Sequence, residues 1–312
     1  MSASKQSKTT EEPSKTLGTE NPPEKPPEKS GGGGQESVQL RVYRLKKWLR
    51  SPRPYLALIG FALFLGFWFF AVDVFKLPRF QEMPGLIQVV REWTSLDPAY
   101  GVSIFTQDYY VNIWVSVRRV AIAFLLALAL GIPLGLFMGW STRFKEFTFP
   151  VFEVLRPIPI LAWVPLAILI FASAEGPVIF LTFLAAFFAT ALNTLLGVQS
   201  IDRDLFRAAD CLGSKPSQVF RHVVVPGSLP FVFTGLQIAM GVAWFSLVAG
   251  EMIAGKFGLG YLINNSYTTT RYPTIIIGMI TLGLVGYLSS MLIRMVGNRL
   301  MAYRARALAE GE

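Results

Sequence analysis

The residue types that usually carry catalysis or hold metals are scarce in this sequence. Cys211 is the only cysteine and His222 the only histidine among 312 residues, which excludes an internal disulfide, a multi-cysteine or histidine-based zinc site and a Ser-His-Asp triad. No G-x-x-x-x-G-K-[ST] phosphate loop occurs, since the four glycines that end at Gly34 are followed by Gln35. We therefore predict no catalytic site, no metal site and no cofactor bound by this chain.

The remaining candidates for a functional role are single ionisable residues within long apolar segments. Glu251 follows a stretch that carries no other charge from Val223 onward. An ionisable group costs about 2.5–3.5 kcal/mol at the centre of a bilayer and usually faces a partner or a cavity. We predict that Glu251 pairs with a base and helps to gate a path; the alternative is a residue at the membrane surface, beyond the hydrocarbon.

These charges must be positioned by membrane-spanning helices. The chain is 52% hydrophobic with a mean hydropathy of +0.45, which exceeds the apolar share of soluble domains. The net charge of +9 comes from basic residues beside apolar runs, which favours membrane topology over nucleic-acid binding. We predict an all-α protein in a lipid bilayer with six transmembrane helices, at 55–72, 120–140, 149–174, 176–201, 229–250 and 273–293.

The segments between these spans set the predicted orientation. Residues 1–40 lack the apolar content needed to fold and form a disordered tail; residues 41–54 form a basic juxtamembrane segment, residues 55–300 the transmembrane domain, and residues 301–312 a second tail. With the amino end inside, the inner segments carry sixteen Lys and Arg and the outer segments five. The positive-inside rule then places both termini and the 201–230 segment in the cytoplasm.

The third predicted span is interrupted by prolines. We expect Pro157, Pro159 and Pro165 to bend or break its helix, which a membrane tolerates only where protein or a water-filled path satisfies the freed backbone groups. Arg156 stands at this interruption and Asn193 within the fourth span. Both are candidates for a translocation path, although an arginine near the inner surface also snorkels and buried amides more often tie helices together.

The 201–230 segment is polar between two apolar spans. We predict two short helices there, the first with apolar residues at helical spacing: Leu205, Ala209 and Leu212. Gly213 ends that helix in the left-handed region, Ser214 caps the next helix, and Pro226 stops it. Such a helical hairpin on the cytoplasmic side is suited to being held by another protein.

Two spans carry small residues four apart: Gly131, Gly135 and Gly139, and Gly235, Ala239 and Ala243. Small residues let helices pack closely in lipid. We favour packing within one subunit over a subunit interface.

The 201–230 segment resembles the cytoplasmic signature of ABC importer permeases, which reads E-A-A, three residues, Gly, nine residues and I-x-L-P. Here Arg207-Ala208-Ala209 precede Gly213 by three residues, and V-V-V-P ending at Pro226 follows after nine. The spacing is kept, but three positions depart: Arg207 stands where the family usually has Glu, and Val223 and Val225 replace Ile and Leu. Asp210 is close enough to supply an acidic group in its place.

The strings SVRRVAIAFLLALALGIPLGLFMG, RPIPILAWVPLAILIF and EMIAGKFGLGYLINNS are similar to the branch that imports nitrate, sulfonates, taurine or bicarbonate. The resemblance implies the type I ABC importer permease fold in a bacterial inner membrane, with alternating access driven by separate subunits. The implied partners are two ATPase subunits that bind ATP, an extracytoplasmic substrate-binding protein and a second permease copy. The residues implied to contact the ATPase are Phe206, Arg207, Ala208, Ala209, Asp210, Gly213 and Pro226.

For an anionic substrate, the guanidinium groups of Arg156, Arg118 and Arg119 are candidates for guiding it. With Pro157, Pro159, Asn193 and Glu251, Arg156 completes the predicted path set. One alternative function is a secondary transporter driven by an ion gradient, which also uses broken helices, although no inverted repeat is apparent. An intramembrane enzyme is a further alternative, and the sparse carboxylates and lone histidine count against it.

Overall fold

A computed structural model describes residues 52–80 and 82–301; the predicted terminal tails and most of the basic juxtamembrane segment lie outside this part. In the described residues the regular elements are helical. They are α1 (Pro52–Phe69), α2 (Leu86–Trp93), α3 (Gln107–Trp140), α4 (Thr142–Leu155), α5 (Val164–Ile170), α6 (Glu175–Gln199), α7 (Arg203–Cys211), α8 (Pro216–Val219), α9 (Val225–Ala254), α10 (Leu259–Thr268) and α11 (Tyr272–Leu300). The chain divides after Leu65, and all contacts discussed below lie in the unit that starts at Gly66.

The long helices account for most of the predicted spans. Within the described residues, four helices are long and apolar enough to cross a bilayer: Gln107–Trp140, Glu175–Gln199, Pro216–Ala254 and Tyr272–Leu300. A fifth span results if the bent pair Thr142–Leu155 and Ile160–Ile170 is counted as one. The first predicted span corresponds to a shorter apolar helix, Leu58–Val74. The membrane fold is confirmed, and the count of six spans stays a prediction.

The central helix is α6, which packs along both α3 and α9. Both predicted small-residue stripes face α6, because a side chain added at their glycines would meet residues of that helix. In α3, the added side chain would meet Thr190 from Gly131, Ala191 and Thr194 from Gly135, and Val198 from Gly139. In α9, a side chain at Gly235 would meet Asn193. Ala239 and Ala243 are fully buried. Absent side chains let these backbones approach closely, so the stripes pack within the subunit, as predicted.

The interrupted third span is bent by 88° between α4 and the helical stretch that begins at Ile160. Pro157 and Pro159 lie in the break, where they end α4 as predicted. Pro165 does not break a helix, and that part of the prediction is wrong. It lies in the first turn of α5, where the missing N–H is not needed and the fixed backbone angle suits helix initiation.

The 201–230 segment contains the predicted α7, and Gly213 takes the left-handed conformation with φ of +69°. Two details of the prediction are wrong. Lys215 rather than Ser214 is the N-cap of α8, and its N–H donates to the Gln218 side chain at 2.8 Å. Pro226 does not stop the helix, because α8 continues through a π-helical turn at Phe220–Val224 into α9.

The physical reason lies in the proline ring. A proline inside an α-helix clashes with the carbonyl four residues before it and lacks an N–H. A π-helical turn pairs each N–H with the carbonyl five residues back and widens the helix. The turn at Phe220–Val224 ends two residues before Pro226, so the chain passes the proline while remaining helical.

Candidate functional site

The α7 helix offers an exposed surface. Asp202 caps it by accepting from the Asp204 N–H at 3.0 Å, and Ala209 is its one buried residue. Leu205 is 53% exposed, and Leu212, just after the helix, is 84% exposed. An apolar stripe beside polar residues at the end of a membrane bundle is a surface that a second protein can cover.

Aromatic rings anchor this helix to the spans. Phe206 stacks on Trp140 with ring centroids 6.5 Å apart, and Trp140 meets Phe220 edge-on at 5.7 Å. Phe220 also stacks on Phe137 at 5.8 Å. These contacts join α7, the last turns of α3 and the π-helical turn that precedes α9. Sequence reasoning identified Phe206 but not its partners.

Arg207 carries the opposite charge to the glutamate at this position of the signature that the segment resembles. Its Nη1 lies 3.0 Å from the Asp204 carboxylate, and both side chains are about three-quarters exposed. Asp210 is exposed as well, so two carboxylates flank the arginine on this surface. A groove of about 520 Å³ runs beside it, lined in part by Trp140 and Phe206.

A buried ion-pair network lies at the opposite end of α6. The 25 residues of α6 span about 36 Å at 1.5 Å per residue. Arg119 and Glu251 are both fully buried, and Arg119 Nη1 donates to Glu251 Oε1 at 2.8 Å and to the Phe257 carbonyl at 2.6 Å. The predicted base partner of Glu251 is therefore Arg119. We call these residues, with Asn112, Ser116 and Glu175, the Arg119 network.

The same network caps α10. A helix leaves its first N–H groups unpaired, and the N-cap, Gly258, has no side chain to satisfy them. The Asn112 amide oxygen accepts from the Gly258 N–H at 2.8 Å, the Ser116 hydroxyl from Leu259 N–H at 2.8 Å and Glu251 from Gly260 N–H at 2.9 Å. Three residues from α3 and α9 thus hold this helix end, where negative charge is also favoured by the helix dipole.

Gly258 is required at this position. Its φ of +120° is a conformation that L-residues rarely adopt, and a side chain there would collide with the Glu251 carboxylate. The backbone therefore approaches the buried carboxylate directly.

Glu175 extends the network towards solvent. Arg119 donates to both of its oxygens, from Nε at 2.9 Å and from Nη2 at 2.5 Å. Arg118 Nη2 lies 3.1 Å from the same carboxylate. The side chains of Arg118 and Glu175 are 48% and 41% exposed. Arg119 therefore has both carboxylates as partners in this structure.

The residues predicted to line a path fall at three separate places. Arg156, Pro157 and Pro159 are exposed at the break after α4. Asn193 donates to the Ala189 carbonyl of its own helix at 2.8 Å and lies against Gly235, and Glu251 belongs to the Arg119 network. Among the described residues, no group of three side chains of the metal-ligating types comes together.

Sequence reasoning missed Asn112, Ser116 and Glu175. One signal was present: Asn112, Ser116 and Arg119 are spaced four and three residues apart, which puts them on one face of a helix. Which helix that face meets is a property of the tertiary fold. The pairing with Glu175 is therefore not readable from spacing.

Comparison with known proteins decides the family. The family model described as "Binding-protein-dependent transport system inner membrane component" matches residues 131–309, which is more than half of the chain. The chain belongs to this family. Its members are permease components of transport systems and not enzymes, so this chain is a permease subunit, and the described apolar helices agree with a multi-pass inner-membrane protein.

Several permeases resemble this one closely. A probable ABC transporter permease of Brucella abortus is 34% identical over 81% of this chain and 96% of its own length. The nitrate import permease NrtB of Leptolyngbya laminosa is 36% identical over 69% and 78%. The taurine transport permease TauC of Escherichia coli is 31% identical over 84% and 94%. These relatives make the chain an ABC importer permease.

A solved structure supports the fold. One chain of a bacterial ABC transporter involved in import of the acidic polysaccharide alginate aligns with a TM-score of 0.54, at 14% identity. The alignment covers 84% of this permease and 99% of that chain. At this identity the likeness concerns the arrangement of helices.

Proposed function

We propose that this permease forms the membrane path of an ATP-driven importer for a small oxyanion or organosulfonate. The similar nitrate and taurine permeases support this substrate class. The observation that carries the ATP-driven mechanism is the exposed apolar stripe of α7, held on the inner ends of α3 and α9 by stacked aromatic rings. In this proposal both termini and the 201–230 segment are cytoplasmic.

The proposed partners are those of a binding-protein-dependent transport system. Two ATPase subunits bind ATP and receive α7 in a groove, so the permease itself needs no cofactor. A substrate-binding protein delivers the anion from outside, and a second copy of the permease completes the path. Leu205 and Leu212 fill the apolar part of the ATPase groove, while Arg207 and Asp210 face its polar rim.

In the proposed alternating access, the cytoplasmic end of the bundle is coupled to the Arg119 network at the other end of α6. ATP binding pushes α7, and the aromatic contacts transmit the displacement to α3 and α9. Arg119 lies in the first half of α3, and Glu251 lies near the end of α9. Glu251 thereby helps to gate the outer end of the path, because its carboxylate fixes α10 to α3 through Ser116 and Gly260.

The substrate class is tested by ATP hydrolysis of the assembled importer. The permease, its ATPase and its binding protein are reconstituted in lipid nanodiscs and supplied with nitrate, bicarbonate, taurine or an alkanesulfonate. We expect one or more of these anions to stimulate hydrolysis above the basal rate. Stimulation by a cation such as choline, with none by the anions, would exclude the proposed substrate class.

A further inference from the structure

The Glu175 carboxylate is held by two adjacent arginines although it is 41% exposed. Neighbouring residues on an α-helix point about 100° apart, at 3.6 residues per turn. A carboxylate that reaches both Arg118 and Arg119 therefore lies between them. The result is a fork in which three guanidinium nitrogens face two oxygens, at 2.9, 2.5 and 3.1 Å.

We propose that Arg118 and Arg119 form an oxyanion-binding site that Glu175 occupies until a transported anion displaces it. Guanidinium groups bind pairs of oxygens in a planar fork. Nitrate, bicarbonate and sulfonates all present at least two oxygens in such an arrangement, as the Glu175 carboxylate does. The inference rests on the function proposed above, since it takes its ligand from that substrate class.

The fork persists when Glu175 leaves. Arg119 keeps its Nη1 bonds to Glu251 and the Phe257 carbonyl, so its Nε and Nη2 edge stays in place. Arg118 is 48% exposed, which gives an anion a way in. Glu175 is the first residue of α6 and follows a short irregular link at 171–174, so its side chain can turn outward without unwinding a helix.

The charges favour exchange of one anion for another. Two arginines and two carboxylates make the bonded group neutral while Glu175 is in place. Withdrawal of Glu175 leaves one positive charge in excess, and a bound monovalent oxyanion restores neutrality. The N-terminus of α6 adds a favourable dipole for negative charge at this point.

The test compares nitrate-dependent thermal stability of the assembled importer in detergent. Glu175→Gln removes the resident charge and leaves both arginines. At about five times the dissociation constant, bound nitrate raises the Tm of a chain of this size by about 1–2 °C relative to chloride at equal ionic strength. We expect that rise in Glu175→Gln, a smaller rise in the wild type, where Glu175 competes, and none in Glu175→Gln with Arg118→Gln.

A matched control is Asp204→Asn, which also releases an arginine, Arg207, from a carboxylate but leaves it single and exposed. We expect nitrate to raise the Tm of this variant by the same amount as it raises the Tm of the wild type. Equal responses of Glu175→Gln and the double variant would overturn the proposal, because a merely structural Glu175 makes no difference to nitrate.

A second variant keeps the proposal testable if Glu175→Gln does not assemble. Arg118→Gln leaves the buried Arg119 pairs intact, and loss of one charge-assisted hydrogen bond raises about tenfold the nitrate concentration that gives half of the Tm rise, measured without the binding protein. An unchanged concentration would overturn the proposed oxyanion site. If the wild-type importer carries none of the anions, the proposed function itself is wrong. If nitrate is taken up but neither variant differs from the wild type in its response to nitrate, only the proposed oxyanion site is excluded.

Discussion

At the scale of single residues, the most demanding feature of this permease is the buried pair of Arg119 and Glu251. Both side chains are shielded from solvent, and each has further partners in the chain. Charges at such depth persist because each is paired with an opposite charge and accepts or donates further hydrogen bonds. The pair therefore fixes α3, α9 and the start of α10 as one body.

Glu251→Gln tests this role. Losing one partner of a buried ion pair costs about 3–5 kcal/mol, and we expect the lower end of that range because Glu175 remains on Arg119. Thermal unfolding of the purified importer measures the effect. The control is Asp204→Asn in the exposed pair with Arg207, for which we expect a change within experimental error. Equal shifts in the two variants would show that the buried pair does not hold these helices.

The same variant separates gating from stability. If Glu251→Gln assembles at reduced temperature but supports uptake at the wild-type rate, then Glu251 has no gate role and serves only to hold the fold. We expect uptake to fall while ATP hydrolysis continues, because α10 is then less firmly fixed to α3.

At the scale of elements, the close contact of α6 with α3 depends on glycines. A side chain at Gly135 would collide with Ala191 and Thr194 of α6, whereas one at Gly241 in α9 meets nothing within 4 Å. We expect Gly135→Ala to cost about 1–3 kcal/mol through overpacking. Gly241→Ala, the matched control, should be neutral or stabilising by up to about 1 kcal/mol. Thermal unfolding of the two variants checks this, and equal stabilities would contradict the packing.

The α7 helix is a second element whose contribution can be isolated. We expect Leu212→Asp to abolish co-purification with the ATPase and to leave thermal stability unchanged, because the side chain is 84% exposed. Leu96→Asp is the control, since that leucine is 81% exposed but lies between α2 and α3. Retention of the ATPase by Leu212→Asp would mean that α7 docks through other residues, or not at all.

At the scale of the whole molecule, apolar runs predict which helices are apolar enough to cross a bilayer better than where those helices begin. The second span was predicted to begin at residue 120, yet α3 begins at Gln107. Its polar first turns are stabilised by tertiary contacts, such as the hydrogen bond of 2.7 Å between Tyr109 and Thr281. Hydropathy depends on the residues of one segment and does not include contacts with other segments.

The candidate sites differ in how far sequence determines them. The 201–230 segment depends on local spacing and turn residues, so α7 and the left-handed Gly213 were predictable. The Arg119 network joins residues more than 130 positions apart, and its partners depend on which helices become neighbours. Sequence could therefore predict that Glu251 needs a base but not choose Arg119 over the other arginines.

The most direct test of the central claim is uptake into proteoliposomes that contain the permease, its ATPase and its binding protein. We predict accumulation of nitrate or taurine that requires ATP hydrolysis, persists without any ion gradient and is lost with Leu212→Asp in the permease. Uptake driven by a proton or sodium gradient by the permease alone, with no ATPase present, would contradict the account.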